Sequence, residues 1–281
     1  MIYITDSLID ELLSEDVRYG DLTTSILDID HIPAHVKITS RQPCILSGIS
    51  IVKRIMSKIG AINISTLSEG DYVENAKLVL EADASAGMFH TIWKVSVNIL
   101  EYCTGIATRT NRLLTMAREV NVLTVLAATR KTIPGTRDLS ILATYAGGAL
   151  PHRLGLSETV LIFKQHYLLC GGFKQILESA KKMKSQCPEK KIIIEVDNLQ
   201  RGLDALGAGF DGIQCDKMAP DDISSIVEKA SLSSQPTIVI ATGGINESNV
   251  KAYAKTGANV ISTSSMYFGP PSDFGFEITK L

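Results

Sequence analysis

Polar and charged side chains follow several short apolar runs in the second half of the chain, and their types suit anion and metal binding. Arg130 and Lys131 come directly after one such run and are followed by a Pro-Gly turn. A guanidinium and an ammonium held together can bind a carboxylate or a phosphate. A solvated basic loop is the alternative interpretation of the same residues.

A histidine and an arginine are adjacent in a glycine-bounded segment further along. His152 and Arg153 lie between the glycine pair at 147–148 and Gly155. A lone histidine is more often packed or at the surface. An imidazole beside a guanidinium, however, favours a site for a small anion.

Two carboxylates stand at the ends of successive apolar runs. Glu195 lies near the end of one run, and Asp216 directly follows the next. Their oxygens could share a magnesium ion or accept hydrogen bonds from the hydroxyls of a ribose. Helix capping and a strand-end ion pair are the alternatives.

Glycines and hydroxyls follow the last two runs. Gly243 and Gly244 would let the backbone approach a ligand closely, and the helix expected to begin there would offer free N–H groups to a phosphate. Ser264 lies among the hydroxyl residues 262–265 after the final run. Barrels often hold phosphate at the loops after their last strands, so the two segments together predict a phosphate site.

Six short, largely apolar runs must position these residues, and stretches with helical spacing separate them. Continuous rather than alternating hydrophobicity is typical of parallel strands that are covered on both faces. Because the loops at the C-terminal ends of barrel strands meet at one mouth, we expect the polar residues to form a single site. The predicted strands cover residues 122–127, 159–163, 192–196, 212–215, 237–241 and 259–261.

The first third of the chain predicts a separate α+β domain. Its pattern predicts helices over 2–13 and 48–58, strands over 35–40, 63–67 and 78–82, and a polar loop over 15–24. A long helix over 86–120 connects this domain to the barrel, and Gly105 predicts a break in that helix.

The composition excludes several classes of protein. The 281 residues are 45% hydrophobic, and the formal net charge of -2 gives no general attraction for nucleic acid or an anionic membrane. Five scattered cysteines support neither a disulfide framework nor a zinc site. The N-terminal segment lacks the features of a signal peptide, and no apolar run reaches about 18 residues. We therefore expect a soluble, cytoplasmic protein.

Residues 129–156, TRKTIPGTRDLSILATYAGGALPHRLGL, resemble the signature of the quinolinate phosphoribosyltransferase family. That signature has Thr-Arg-Lys-Thr-x-Pro-Gly, a glycine cluster and then Asn-His-Arg-x-Gly-Leu, at the same spacing. Shorter matches follow in the same order along nearly the whole chain, at residues 19–23, 105–108, 195–197, 216 and 243–244.

The resemblance implies an α/β fold with an N-terminal α/β sandwich domain and a C-terminal incomplete α/β barrel, the type II phosphoribosyltransferase architecture. We expect the sandwich, with the connector helix, over residues 1–108, the barrel over 109–266, and a tail over 267–281 that returns to the N-terminal domain. A homodimer is implied, in which one subunit completes its neighbour's site. The implied reaction joins quinolinate to 5-phosphoribosyl 1-diphosphate with Mg²⁺ and gives nicotinate mononucleotide, diphosphate and carbon dioxide.

The resemblance also implies a role for each site residue. The implied catalytic residues are Lys131, which would face the phosphoribosyl diphosphate, and Glu195 and Asp216, which would hold ribose and Mg²⁺. The implied substrate-binding residues are Arg130, His152 and Arg153 at the acceptor's carboxylates, Lys94 and Phe163 at the acceptor pocket, and Gly243, Gly244 and Ser264 around the 5-phosphate.

The chain departs from the family's pattern mainly around the acceptor. Lys94 stands where the family has an arginine that reaches across the dimer, and Phe163 stands where it has a lysine. Pro151 replaces the asparagine before His-Arg, and Ile240 and Ala241 stand where a glutamate is expected. Phe163 and Pro151 are typical of the family's ModD branch, whose members lie near molybdate-transport genes. The resemblance therefore supports phosphoribosyl transfer more strongly than quinolinate as the acceptor.

Three functional hypotheses stay open at this point. The chain is a quinolinate phosphoribosyltransferase, a phosphoribosyltransferase with a less anionic small aromatic acceptor, or a binding or regulatory protein of molybdenum handling that has lost turnover. Charged strand ends argue against the third hypothesis, because a scaffold does not need them. The charge lost at Phe163 separates the first two.

Overall fold

A computed structural model describes residues 2–281, which divide into two compact units. The first unit comprises the chain up to Asn111 together with Thr132–Gly148 and Tyr267–Leu281, and the second comprises Arg112–Lys131 and Ala149–Met266. Residues 132–148 therefore group with the first unit, which differs from the boundaries expected from the sequence.

The elements are numbered in chain order. The helices are α1 (Asp6–Val17), α2 (Leu22–Ile26), α3 (Ile49–Lys58), α4 (Ala86–Arg118), α5 (Arg137–Ala146), α6 (Lys164–Leu169), α7 (Phe173–Glu178), α8 (Ala180–Gln186), α9 (Leu199–Ala208), α10 (Pro220–Ser231) and α11 (Val250–Lys255). The strands are β1 (Pro33–Ser40), β2 (Cys44–Ile45), β3 (Ile62–Thr66), β4 (Tyr72–Val73), β5 (Leu78–Ser85), β6 (Val125–Ala128), β7 (Leu150–Pro151), β8 (Val160–Ile162), β9 (Ile192–Val196), β10 (Gly212–Asp216), β11 (Ile238–Thr242), β12 (Val260–Thr263) and β13 (Phe274–Lys280).

The first unit is built on a four-stranded antiparallel sheet in the order β13-β1-β5-β3. In β1 every second residue is buried, so one face of the sheet lies against the core. The amphipathic helix α3 packs against β3 and β5 and buries Ile51, Val52 and Ile55. The C-terminal strand β13 pairs with β1, with Val36 opposite Ile278. This helix-on-sheet unit is the predicted α/β sandwich.

Helix α4 runs through Gly105 without interruption, so the predicted break is wrong. A Cβ atom at this position would lie 3.1 Å from the carbonyl oxygen of Pro270 and 3.2 Å from the Cα atom of Pro271. The glycine therefore lets the C-terminal segment cross the helix closely. Its cost in helix propensity, about 1 kcal/mol, is small beside the packing of a helix this long.

The second unit is built on a seven-stranded sheet in the order β7-β6-β12-β11-β10-β9-β8, and all of its pairings are parallel. Strands β9, β10 and β11 are almost entirely buried, as expected for strands covered on both faces. In the described chain the sheet ends at β7 and β8, which do not pair with each other. The barrel is therefore incomplete, and the predicted fold class is confirmed.

Two local predictions are wrong because side chains cap turns. The strand predicted from residue 122 begins only at Val125, since the side chain of Asn121 accepts a hydrogen bond from the N–H of Leu123 and holds a turn. The loop predicted over 15–24 contains the start of α2, because Asp21 accepts from the N–H groups of Thr23 and Thr24. Both caps follow from ordinary asparagine and aspartate chemistry.

A hydropathy search of residues 2–281 finds no helix that combines the length and the apolar character needed to cross a membrane.

Candidate active site

The strand register of the second unit brings several predicted site residues to one edge. Asp216 is level with the residue directly before Gly243, and Glu195 is level with Gln214, two positions before Asp216. The next strand, β12, ends directly before Ser264. Parallel strands present their carboxyl ends at the same edge, so these residues line one mouth.

Two guanidinium groups lie near each other at this mouth, and neither forms an ion pair with any of residues 2–281. Burial lowers the pKa of Arg153, and the nearby charge of Arg130 lowers that pKa further, while Glu158 partly offsets the effect. The buried Nε atom of Arg130 has no hydrogen-bond partner within residues 2–281. An unpaired buried donor costs about 1–3 kcal/mol, so a bound anion would be stabilised here.

The ring of Phe163 forms an aromatic surface next to these cations. The Cζ atom of Arg153 lies 6.0 Å from the ring centroid. The half-buried ring also packs against a small cluster of buried apolar residues, Leu161, Ile193 and Ile240. A site of this kind offers cations for an acid group and a flat apolar face for an aromatic ring.

The charges of Asp216 and Lys131 act on the Glu195 carboxylate. Burial raises the pKa of Glu195, a hydrogen bond from Gln214 lowers it, the negative charge of Asp216 raises it, and the positive charge of Lys131 lowers it. The three predicted catalytic residues are therefore neighbours. Two mutually repelling carboxylates beside one ammonium form a place where a cation would be stabilised.

Gln214 joins the carboxylate side of the mouth to the imidazole side, and the sequence analysis missed it. Its Nε2 atom lies 2.6 Å from Oε2 of Glu195, and its Oε1 atom lies 2.7 Å from Nε2 of His152. In the sequence this glutamine lies within the largely apolar run 212–215. The available signal was a polar residue in a buried strand, two positions before Asp216 and hence on the same face of the sheet.

Two glycines in left-handed conformation follow β11. Gly243 has φ 90° and Gly244 has φ 72°. A Cβ atom on Gly243 would lie 2.6 Å from Oδ1 of Asp216 and 2.5 Å from Cγ of Lys217, so a side chain at 243 would displace the carboxylate. The predicted helix does not begin there, because the Asn246–Asn249 turn intervenes and α11 starts at Val250. The close-approach argument holds, whereas the helix N-terminus argument does not.

Glu195 and Asp216 suit a magnesium ion that is shared with a substrate. Among residues 2–281, no group of three or more ligating side chains forms a metal site of its own. Mg²⁺ usually keeps several waters and binds one or two carboxylates together with substrate phosphates. The pair of carboxylates fits that pattern, and Gln214 occupies one oxygen of Glu195 while the other stays available.

Lys94 is the one predicted site residue that belongs to the first unit. It lies exposed on α4 and lines a cavity of about 430 Å³ with Glu15, Asp16, Tyr102 and Thr136. The other ten predicted site residues all lie in the second unit. Ten of the predicted site residues therefore share one unit, and Lys94 belongs to the other.

Comparison with protein families gives matches over nearly the whole chain. Residues 21–104 match the model described as quinolinate phosphoribosyl transferase, N-terminal domain, and residues 106–276 match the corresponding C-terminal domain. The chain belongs to the quinolinate phosphoribosyltransferase family. Like its family, it is a phosphoribosyltransferase by fold and by sequence.

Similar proteins fall into two groups by name. The "Putative pyrophosphorylase ModD" of Pasteurella multocida is 36% identical over 280 residues, which cover 100% of this chain and 99% of that protein. The "Probable nicotinate-nucleotide pyrophosphorylase [carboxylating]" of Methanocaldococcus jannaschii is 31% identical over 273 residues, with 95% of each chain covered. The predicted family and its ModD-like branch are both supported by these matches.

A solved structure shares the whole fold. The nicotinate-nucleotide pyrophosphorylase from Francisella tularensis superposes with a TM-score of 0.90 at 26% identity, over 99% of this chain and 98% of that one. The agreement extends across both units of the family fold, so it includes the strands that carry the candidate site.

Proposed function

We propose that this protein transfers the phosphoribosyl group of 5-phosphoribosyl 1-diphosphate to a small aromatic acid, and that Glu195 and Asp216 would hold the Mg²⁺ ion that the reaction uses. The observation that carries the proposal is a pair of guanidinium groups, Arg130 and Arg153, which form no ion pair within residues 2–281 and come just after strands of the sheet that also carries those two carboxylates. Cations without an ion pair suit an acid acceptor. Carboxylates at the same mouth suit a sugar that becomes positively charged.

The arrangement matches the charge changes of phosphoribosyl transfer. Breaking the bond at C1 of the ribose leaves positive charge on the sugar and negative charge on the departing diphosphate. Glu195 and Asp216 would stabilise the sugar, and Lys131 would stabilise the diphosphate. The Mg²⁺ ion, when bound, would neutralise charge on the diphosphate oxygens. Gly243, Gly244 and Ser264 would surround the 5-phosphate.

Two candidate functions differ in the acceptor of the phosphoribosyl group. An acceptor with two carboxylates, such as quinolinate, would use both guanidinium groups of this mouth, and Phe163 supplies a ring where the family's pattern has a further cation. A second candidate is therefore transfer to an aromatic acid with fewer negative charges. The guanidinium of Arg153 over the Phe163 ring favours this second candidate, because an aromatic acceptor can lie against the same apolar surface.

Calorimetric titration of the purified protein tests the proposal. We expect 5-phosphoribosyl 1-diphosphate to bind only with Mg²⁺, and we expect Asp216→Ala to lower binding or turnover by at least a hundredfold while the fold persists. Asp204→Ala is the matched control, because Asp204 is an exposed carboxylate on α9 whose one side-chain hydrogen bond within residues 2–281 comes from Gln200. Absence of magnesium-dependent binding in the wild type would rule out phosphoribosyl transfer and leave the binding or regulatory hypothesis.

We further propose that the active form is a homodimer working in the cytoplasm. Lys94 belongs to the first unit and is exposed, so it is available to a second copy of the chain. An ammonium from the neighbouring subunit would add one cation to the acceptor site, with less directional bonding than the guanidinium expected in the family.

A further inference from the structure

Gln214 is a buried amide between an apolar residue and a polar one on the neighbouring strands. It is 5% exposed and lies in the interior of β10, paired with Ile240 of β11 on one side and with Glu195 of β9 on the other. Ile240 belongs to the apolar cluster on which Phe163 packs. A buried amide is costly unless both of its ends are hydrogen-bonded, so its bonds decide whether it stabilises this position.

Both ends of the Gln214 amide are bonded, and the two bonds fix its orientation. An ionised carboxylate can only accept hydrogen bonds, so the amide NH₂ donates to Oε2 of Glu195 at 2.6 Å. The amide oxygen then faces His152 and accepts from its Nε2–H group at 2.7 Å. The imidazole therefore carries a hydrogen on Nε2, and Nδ1 makes no hydrogen bond within residues 2–281. Nδ1 is the ring atom left for a ligand.

We propose that Gln214 is a positioning residue that joins the acceptor side of the mouth to the ribose side. It holds the His152 ring with its hydrogen on Nε2, presents Nδ1 to the acceptor, and holds the Glu195 carboxylate beside Asp216. His152 then gives the acceptor one contact, through Nδ1. The inference extends the proposed phosphoribosyl transfer. The acceptor role of His152 and the ribose role of Glu195 rest on that proposed function.

The alternative to positioning is a packed polar residue that only fills space. Gln214→Met keeps the length of the side chain and removes both hydrogen bonds. Gln214→Glu keeps an acceptor for His152 and replaces the donor to Glu195 with a negative charge. Gln200→Met is the matched control, because Gln200 is an exposed glutamine on α9 whose amide donates, among the described residues 2–281, to Asp204 alone. Gln214→Met removes the hydrogen bonds to both His152 and Glu195, whereas Gln214→Glu removes only the one to Glu195. The two variants therefore distinguish the contributions of the two bonds.

Nitrogen-15 NMR of the imidazole rings tests the His152 end without any substrate. His152→Asn identifies the His152 signals among those of the five histidines. In alkaline solution we expect the wild type and Gln214→Glu to show hydrogen on Nε2, with an Nε2 proton signal protected from exchange with water. Gln214→Met should lose that protected signal, and Gln200→Met should keep it. A hydrogen on Nδ1 in the wild type, or an unchanged signal in Gln214→Met, would overturn the proposal.

Steady-state kinetics test the link between the two ends. Loss of a supporting hydrogen bond behind a ligand residue typically costs about tenfold to a hundredfold in activity. We expect Gln214→Met and Gln214→Glu each to lower kcat by that amount. In Gln214→Met the KM for 5-phosphoribosyl 1-diphosphate should change less than about threefold, since Glu195, Asp216 and Lys131 all keep their charges. Equal kcat in all four proteins, or a rise in that KM alone, would contradict the positioning role.

The two experiments keep the two proposals apart. If the wild type shows no phosphoribosyl transfer with any aromatic acid, the proposed function fails, and the Nε2 proton signal alone then decides whether Gln214 positions His152. Circular dichroism and the thermal midpoint check that each variant is folded. If Gln214→Met does not fold, Gln214→Glu still tests the proposal, because retained Nε2 protection together with unchanged kcat would refute it.

Discussion

Phe163→Lys places an ammonium where the chain has a ring, and we expect it to raise activity on quinolinate. Each charge-assisted hydrogen bond in a site shielded from water contributes about 1.5–3 kcal/mol. The new ammonium would lie about 6 Å from the Arg153 guanidinium, the present distance of the ring. At an effective dielectric of about 20, that repulsion is on the order of 3 kcal/mol in the empty site.

A bound dianion changes the balance at this position. A carboxylate between the ammonium and Arg153 turns the repulsion into two attractions, so the variant should favour quinolinate while its unliganded form loses stability. We expect kcat/KM for quinolinate to rise about tenfold, equivalent to about 1.4 kcal/mol. We also expect the free energy of unfolding to fall by about 1–3 kcal/mol, because a half-buried ring is lost. Steady-state assays and urea unfolding measure the two effects.

A matched control separates the site from the general effect of a new charge. Phe173 also lies under a guanidinium, with the Cζ atom of Arg201 5.4 Å from its ring centroid. Phe173→Lys should lower stability without any gain on quinolinate. Lys164→Gln tests whether the neighbouring lysine already supplies the missing charge. If the wild type turns over quinolinate as efficiently as the carboxylating members of its family, the hypothesis of a less anionic acceptor is refuted.

The remaining predictions concern assembly, stability and the phosphate loop. Light scattering at micromolar concentration should show a dimer, and Lys94→Ala should lower acceptor affinity without changing that mass. Asp211→Asn should lower the free energy of unfolding by about 1 kcal/mol at neutral pH, because it removes the ion pair with Lys184. Gly243→Ala should weaken magnesium-dependent binding at least tenfold, because its Cβ atom would displace Asp216.

The pH dependence at Asp211 has a definite sign. Burial by itself would raise its pKa, but the hydrogen bond from Lys184, the N–H of Ile192 and the charges of Lys184 and Lys191 lower it below the ordinary value. A lowered pKa in the folded state stabilises the protein above the ordinary aspartate value of about 4, and that contribution disappears as the pH falls through the folded pKa. The difference between wild type and Asp211→Asn should therefore vanish in acid. A constant difference across the pH range would contradict the ion-pair explanation.

Two controls complete this group. Gly244→Ala meets the same backbone restriction as Gly243→Ala, yet its Cβ atom would have no neighbour within 4 Å. It should therefore lose some stability through left-handed strain and keep most of the binding. Equal losses in the two variants would mean that strain, and not displacement of Asp216, explains the effect. A monomer at micromolar concentration would rule out the proposed role of Lys94.

The sequence predicted the parallel strands well because their hydrophobicity is continuous and their bounds are set by charged residues. Glu195 and Asp216 could be placed at one edge from the strand pattern alone, and the register bears this out. The role of Gly105 could not be predicted from the sequence, because the glycine makes room for a segment that lies more than 160 residues later in the chain. Strand β7 was missed since two residues carry no periodic signal.

Gln214 shows a second limit of sequence patterns. A glutamine in an apolar run has no periodic signature that distinguishes a bonded amide from a surface residue, and its two partners come from different parts of the chain. The strand pattern does predict that Gln214 lies on the same face of the sheet as Asp216, since the two are two residues apart in one strand. A polar residue on the site face of a buried strand is thus a signal that deserves a partner search.

The charges of the mouth divide into two sets. In the proposed reaction, each set interacts with a different part of the substrate. On the ribose side, the Asp216 carboxylate and the Lys131 ammonium lie close enough to Glu195 for their charges to shift its pKa, which matches a reaction that separates charge at one carbon atom. On the acceptor side, Arg153 shares its surroundings with a ring, and the site therefore supplies fewer charges and more apolar surface. Because Phe163 packs on the apolar cluster and is not among the groups that act on Glu195, a change of acceptor can occur without loss of the ribose chemistry. Phosphoribosyl transfer is accordingly the part of the function that the residues support most strongly, and the identity of the acid depends on Phe163.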